Sequence, residues 1–145
     1  MRKTIYCLFL LIVSVVINAQ NDIDFWEILG EVKFETGYME GSDVPFDVPV
    51  FSDKLKSIEG QTIQLQGYIL PVEVGSSDHY ILSKLPFNVC YYCGGAGPET
   101  IIEIISDDKL EASDNRVVIQ GKLMLNKRDM NYHMYVLKNA ELIDQ

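Results

Sequence analysis

Two segments of the chain share one layout, and it narrows the folds open to them. Residues 61–72 read QTIQLQGYILPV and residues 116–125 read RVVIQGKLML. Each alternates apolar and polar residues, meets a glycine in mid-run and then continues apolar. Alternation with period two marks a half-buried strand. A glycine inside a strand weakens it, so it is found where the strand bends or another backbone comes close. In small Greek-key barrels the opening strand coils strongly, and a mid-strand glycine permits this without a side-chain clash. Gly67 is therefore expected at a bend in the first barrel strand, breaking the alternation of Ile63, Leu65, Tyr68 and Leu70.

Other runs extend the same plan. Residues 79–85 (HYILSKL), 100–106 (TIIEIIS) and 133–143 (HMYVLKNAELI) read as strands separated by polar turns. Residues 31–38 (EVKFETGY) alternate Val32, Phe34 and Thr36 with charged neighbours, which predicts another half-buried strand. Residues 39–50, with Gly41, Pro45 and Pro49, are expected to form an acidic loop. Residues 51–59 predict a helical turn capped by Ser52, with Leu55 and Ile58 inward and Gly60 as the stop. Residues 21–30 predict a short helical turn or a lead-in strand, with Trp26 as a plug on the barrel. The fold expected is all-β: a five- to six-stranded OB-like Greek-key barrel with one or two short helical turns. A small open sandwich of the same strand count is the competing architecture.

The first 19 residues are set apart from this fold. Arg2 and Lys3 precede an apolar stretch over residues 6–17, and Ala19 supplies the small residue a signal peptidase prefers. The expectation is export to the periplasm or beyond the cell, with cleavage after Ala19 and one domain over residues 20–145. The apolar stretch is shorter than the ~20 residues of a spanning helix. No second one follows, so no membrane span is expected after cleavage. The formal charge of −9 becomes −11 once the two charges of Arg2 and Lys3 are removed. So acidic a domain repels phosphate backbones, which argues against nucleic acid as a partner. It suits a cationic partner or a metal ion.

Cleavage removes Cys7 and leaves Cys90 and Cys93 in residues 85–103, LPFNVCYYCGGAGPETIIE. Pro86 and Pro98 bracket this loop, and Gly94, Gly95 and Gly97 let it reverse. Two cysteines spaced by two residues are half of a tetrahedral metal site for an ion such as zinc. Further ligands would come from His79, His133, Glu99 or Glu103, with Glu99 nearest in sequence. A disulfide between Cys90 and Cys93, or a pair of buried thiols, is the plainer structural reading. Thiol–disulfide redox catalysis needs a helix start to lower a thiol pKa, and the glycine cluster does not begin one. Haem attachment needs a histidine after the second cysteine, where this chain has Gly94. Tyr91 and Tyr92 are expected to divide between packing on the barrel and contacting a partner, with Gly94, Gly95 and Gly97 shaping the loop between them.

The combination of a tryptophan lead-in, IEGQTIQLQGYILPVE and a loop entered through LPF resembles the uncharacterised bacterial envelope domain-of-unknown-function family 3299. The likeness runs from about Trp26 to Ile143. It implies an exported protein with a small OB-like fold and no assigned activity.

The remaining candidates carry less. Gly94, Gly95, Ala96 and Gly97 lack the lysine and helix of a phosphate loop and read as a turn. Met124, Met130 and Met134 read as core rather than as a copper site. No Ser-His-Asp or Cys-His pairing stands at recognisable spacing. The functional expectation is an exported soluble module, binding a metal ion through the CxxC loop. Its alternatives are an interaction module for an envelope protein with a structural disulfide, and a thiol–disulfide redox protein.

Overall fold

The structure, a computed structural model, describes residues 23–38 and 43–144. The expected signal peptide and its cleavage site lie outside the described residues. Helix α1 (Phe25–Leu29) leads into strands β1 (Lys33–Tyr38) and β2 (Pro45–Val50), and helix α2 (Asp53–Ile58) follows. The remaining strands are β3 (Thr62–Ile69), β4 (His79–Ser83), β5 (Ile101–Ile105), β6 (Val117–Leu125) and β7 (Tyr135–Asp144). Strands β3 to β7 close a five-stranded barrel in the order β3-β4-β5-β7-β6. All neighbours are antiparallel except β5 and β7, where Glu103 and Ile104 lie parallel to Val136 and Leu137. One parallel contact that closes a five-stranded antiparallel meander is the Greek-key plan of an OB-fold. Among the described residues no helix is long and apolar enough to cross a membrane.

Strand β3 keeps its alternation through the glycine, and here the structure departs from the pattern read in sequence. Ile63, Leu65, Gly67 and Ile69 all face inward and are buried, while Tyr68 turns to the half-buried outer face. Gly67 is the residue at which β3 passes from pairing with β6, opposite Val117, to pairing with β4, where Tyr68 stands opposite Ser83. A Cβ at position 67 would run into the backbone carbonyl of Ser83 and approach Leu82 Cγ at 3.1 Å. The glycine therefore permits a close backbone crossing. Its counterpart in β6, Gly121, sits at a register shift between Gln120 and Lys122, under Leu137 and Ala140 of β7. The shared sequence layout thus marks two places where neighbouring strands approach closely.

Inside the barrel, Ile63, Leu65, Ile102, Ile104, Ile119, Leu123 and Leu137 form the centre of the main core. Each such side chain contributes about 1.5–3 kcal/mol when fully removed from water. The lead-in helix covers one opening. Asp24 caps it, its Oδ1 accepting the Trp26 N–H at 2.9 Å. Trp26 is buried, and its Nε1–H donates to Gln66 O at 2.9 Å, so the expected plug is hydrogen-bonded to β3. The Tyr135 hydroxyl donates to Leu29 O at 2.6 Å and ties β7 to the same helix. Burial, with the Glu99 charge adding, pushes that phenol far above its ordinary range. In α2, Ser52 caps through the Leu55 N–H at 3.1 Å, with Leu55 and Ile58 buried. Gly60 follows with φ of 76°.

The expected loop over residues 39–50 is corrected at Pro45–Val50, where β2 runs antiparallel to β1, while residues 39–42 lie outside the described residues. Pro45 and Pro49 made this stretch read as a loop. Proline is tolerated on an edge strand when its missing N–H would have pointed away from the partner.

Candidate functional site

Strand β5 is covered on both faces. Ile102 and Ile104 point into the main core, while Ile101 and Glu103 lie on the outer face and are nonetheless buried. The cover comes from loops. Cys90 is fully buried in a satellite cluster with Leu70, Ile81 and Ile101, and Tyr68, Val72 and Val74 pack on it. The cysteine loop is thus fastened onto the outer wall of β4 and β5 by its first thiol. The oligonucleotide- and oligosaccharide-binding face of OB-folds is the outer wall of the second and third strands with its flanking loops. Here the chain's own loop occupies much of that wall.

The loop is built from three short 3-10 turns, Phe87–Val89, Tyr91–Cys93 and Pro98–Thr100. Cys90 organises the first reversal, its carbonyl accepting from the N–H of Cys93 and of Gly95, each at 3.1 Å. Gly94 closes the turn with φ of 74°, a left-handed conformation that glycine adopts without strain. Gly95 packs against the Val89 backbone, and the Glu99 carboxylate folds back over Gly97.

Cys90 and Cys93 are both free thiols, one buried and one exposed. Cys93 Sγ donates to Phe87 O at 3.0 Å. Desolvation, followed by the charge and side-chain hydrogen bond of Cys90, pushes the Cys93 thiol up. The two sulfurs are therefore neighbours, as the turn geometry requires, without a bond between them. A raised thiol pKa is the opposite of what a reactive cysteine needs.

Beside this loop, Glu103 draws together the two histidines of the chain. His79 Nδ1 lies 2.6 Å from Glu103 Oε1, and His133 Nδ1 lies 3.0 Å from Oε2. The backbone N–H of His133 donates to Oε2 at 2.8 Å. An ionised carboxylate only accepts, so each imidazole presents an Nδ1–H to it. Burial pushes the Glu103 pKa up, but the hydrogen bonds from His133 and His79, with the His133 charge, outweigh it and leave the carboxyl below its ordinary range. The network continues outward: Tyr92 OH stands 2.8 Å from His133 Nε2. Burial, with the charges of Tyr91, Glu103 and Cys90, pushes this phenol up to about 12. The His79 ring stacks on Tyr132 at 5.9 Å, and its Nε2 is 4.0 Å from Asp78 Oδ1. A cleft of about 250 Å³ opens beside the network, lined by Val74, Gly75, Glu103, Met130, Asn131, Tyr132 and His133.

The residues expected to serve one metal centre thus separate. His79 and His133 meet at Glu103, Cys90 and Cys93 meet in the loop, and Glu99 turns back over Gly97. Among the described residues no group of three or more His, Cys, Asp and Glu is set to hold a metal ion. The residue at the centre is Glu103, which the sequence offered only as one more ligand. Its signal was a carboxylate amid TIIEII, since a charge in a strand rarely stays buried unless paired. Tyr91 and Tyr92 are both about two-fifths exposed, at 39% and 40%, and touch edge to face at 5.5 Å. Met130, read as core, is instead 74% exposed.

No protein-family model matches the chain, and no curated protein does. Among solved structures the chain resembles the crystal structure of a DUF3299 family protein from Pseudomonas aeruginosa PAO1, with 13% identity and a TM-score of 0.45. The likeness covers 62% of this chain and 66% of that one.

Proposed function

We propose that this protein is an exported, non-catalytic interaction module that docks an envelope protein through the cysteine loop. One observation carries the reading: Phe87, Val89, Tyr91 and Tyr92 are 39–44% exposed on the loop that covers the outer wall of β4 and β5. Exposed aromatic and aliphatic side chains on a loop pinned from beneath give a preorganised contact surface. Three titratable groups beside it are shifted away from neutral pH. Glu103 is lowered, Cys93 is raised and Tyr92 is raised, so none of these moves toward neutral pH, where general acids and bases work. The acidic chain, −9 overall, favours a partner with basic groups around an apolar contact and disfavours nucleic acid.

A photo-crosslinking side chain in place of Phe87 or Tyr91, in the native host, should trap one discrete partner. The same group in place of exposed Lys109 should not. Identical products from both faces, or none from the loop, would overturn the reading.

A second reading is favoured by the two adjacent thiols. A transition-metal ion such as zinc would be taken by Cys90 and Cys93, with the His133 Nε2 joining once Tyr92 gives it up. Its support is that Glu103 already holds the opposite nitrogen of His133, the orientation common to metal-bound histidines. Zinc titrated into reduced protein against a chromogenic chelator should then bind stoichiometrically. Uptake equal in the wild type and the Cys93→Ser variant would discard this reading.

A further inference from the structure

The hairpin of β1 and β2 is a two-stranded sheet separate from the barrel. All six residues of β1 are exposed except half-buried Gly37, and Phe34 and Tyr38 are 39% and 65% exposed. A two-stranded sheet alone is at best marginally stable in water, and its free edges are templates for another strand. The two edges of this hairpin differ. Pro45 stands opposite Tyr38, and Pro49 opposite Phe34. Proline has no N–H to donate, so these are the non-hydrogen-bonded rungs, and the bonds between β1 and β2 run through the Lys33, Glu35 and Gly37 rungs. Two consequences follow. The outer edge of β2 lacks donors at residues 45 and 49 and is closed to a further strand. The outer edge of β1 is open, with the N–H and C=O groups of Phe34, Thr36 and Tyr38 directed outward.

We infer that the β1 edge pairs antiparallel with β1 of a second copy of this chain, about a two-fold axis at Phe34. In that register the two Phe34 residues form a hydrogen-bonded rung, because their backbone groups are the ones that face outward. Each Lys33 then stands directly opposite the Glu35 of the other copy, and this happens twice by symmetry. Neither residue has an ion pair within the described residues. Charged side chains on an edge strand ordinarily repel a wrong partner. Here the spacing of Lys33 and Glu35 about Phe34 makes the like strand the complementary one, and opposite charges on facing residues stabilise a pair of strands. A register displaced by two residues, about Thr36, would set Glu35 opposite Gly37 and lose both charge pairs. The result is a four-stranded sheet with β2 on each outside edge, where its prolines stop further growth. This surface is independent of the cysteine loop, so the two assignments stand or fall separately.

Sedimentation velocity of the purified protein over a concentration series tests it. The wild type should pass from monomer to dimer as concentration rises. Lys33→Glu and Glu35→Lys should each set like charges opposite one another on two rungs and weaken association roughly tenfold. An equimolar mixture of these two variants should recover the dimer, because the Lys33→Glu chain meets the Glu35→Lys chain with opposite charges on both rungs. That recovery also shows that both variants are folded. Phe34→Pro removes an outward donor while sparing the bonds to β2, and should leave a monomer. A wild type that stays monomeric throughout would overturn the inference. So would a dimer indifferent to Phe34→Pro, or one that the mixed variants fail to restore.

Discussion

His133 is held to Glu103 twice, its ring Nδ1 at 3.0 Å and its backbone N–H at 2.8 Å from the same carboxylate oxygen. A ring contact alone would leave the loop over residues 126–134 free to pivot about the side chain. The backbone bond fixes the chain itself just before β7. The other carboxylate oxygen holds His79 at the start of β4, and Tyr92 brings the cysteine loop to the far nitrogen of His133. One buried carboxylate therefore joins three separate segments on the outer wall of β5.

Glu103→Gln should be costly, since it removes the charge that three hydrogen bonds serve. Bonds to charged groups contribute about 1.5–3 kcal/mol each, and they are not additive here. A loss of about 2–4 kcal/mol in urea unfolding at neutral pH is expected. The pH dependence has a definite sign. Because the folded carboxyl pKa is lowered, the stabilisation is fully present above the ordinary value of 4.5 and is lost as pH falls through the folded value. The gap between wild type and Glu103→Gln should therefore narrow below pH 4.5. A gap that stays constant or widens on acidification would refute the assignment.

Gly67 gives a prediction in the barrel wall. A β-branched residue at a strand glycine ordinarily changes stability by about 0.5–1 kcal/mol through propensity. At this position the added Cβ meets the Ser83 carbonyl, a backbone group that cannot rotate aside. Gly67→Val should therefore cost more than that, about 2–4 kcal/mol, as overpacking and displaced strand pairing combine. Gly67→Ala already carries the clash and should lose most of the same amount. Chemical denaturation of both variants decides whether the cost lies at Cβ or in the branched part of the side chain.

How much of this was legible in sequence differs from element to element. The barrel was readable because period-two alternation survives in β3 and β6, and the cap of α2 was written in Ser52. The role of Gly67 was half visible: its special place could be read, but the strand that crosses it comes from residues 82 and 83. Strand β2 was hidden by its prolines, because a proline marks a loop unless one knows which edge faces the partner. Glu103 was hidden for a related reason. In TIIEII it sits where an alternating strand puts a polar residue outward, and outward it is. The loops that fold back and bury it are brought there by Cys90, Tyr92 and His133, which are remote from it in sequence.

The cysteines should differ sharply when each is changed alone. Cys90 has no exposed surface and packs against Leu70, Ile81 and Ile101, so Cys90→Ser buries a hydroxyl in apolar surroundings. A buried polar group without a partner costs about 1–3 kcal/mol, and the loss should appear as faster proteolysis within the cysteine loop. Cys93 is exposed, and its thiol donates to the Phe87 carbonyl, a bond that a serine hydroxyl can also make. Cys93→Ser should stay within about 0.5 kcal/mol of the wild type, as surface substitutions usually do. Under reducing conditions an aromatic disulfide reagent should modify Cys93 in the folded protein and reach Cys90 only on unfolding. The Cys93 reaction should also be slower than that of an ordinary exposed thiol, because its raised pKa leaves less thiolate at neutral pH. Rapid modification of both thiols in the native state would show that Cys90 does not anchor the loop, and the preorganised contact surface would lose its footing.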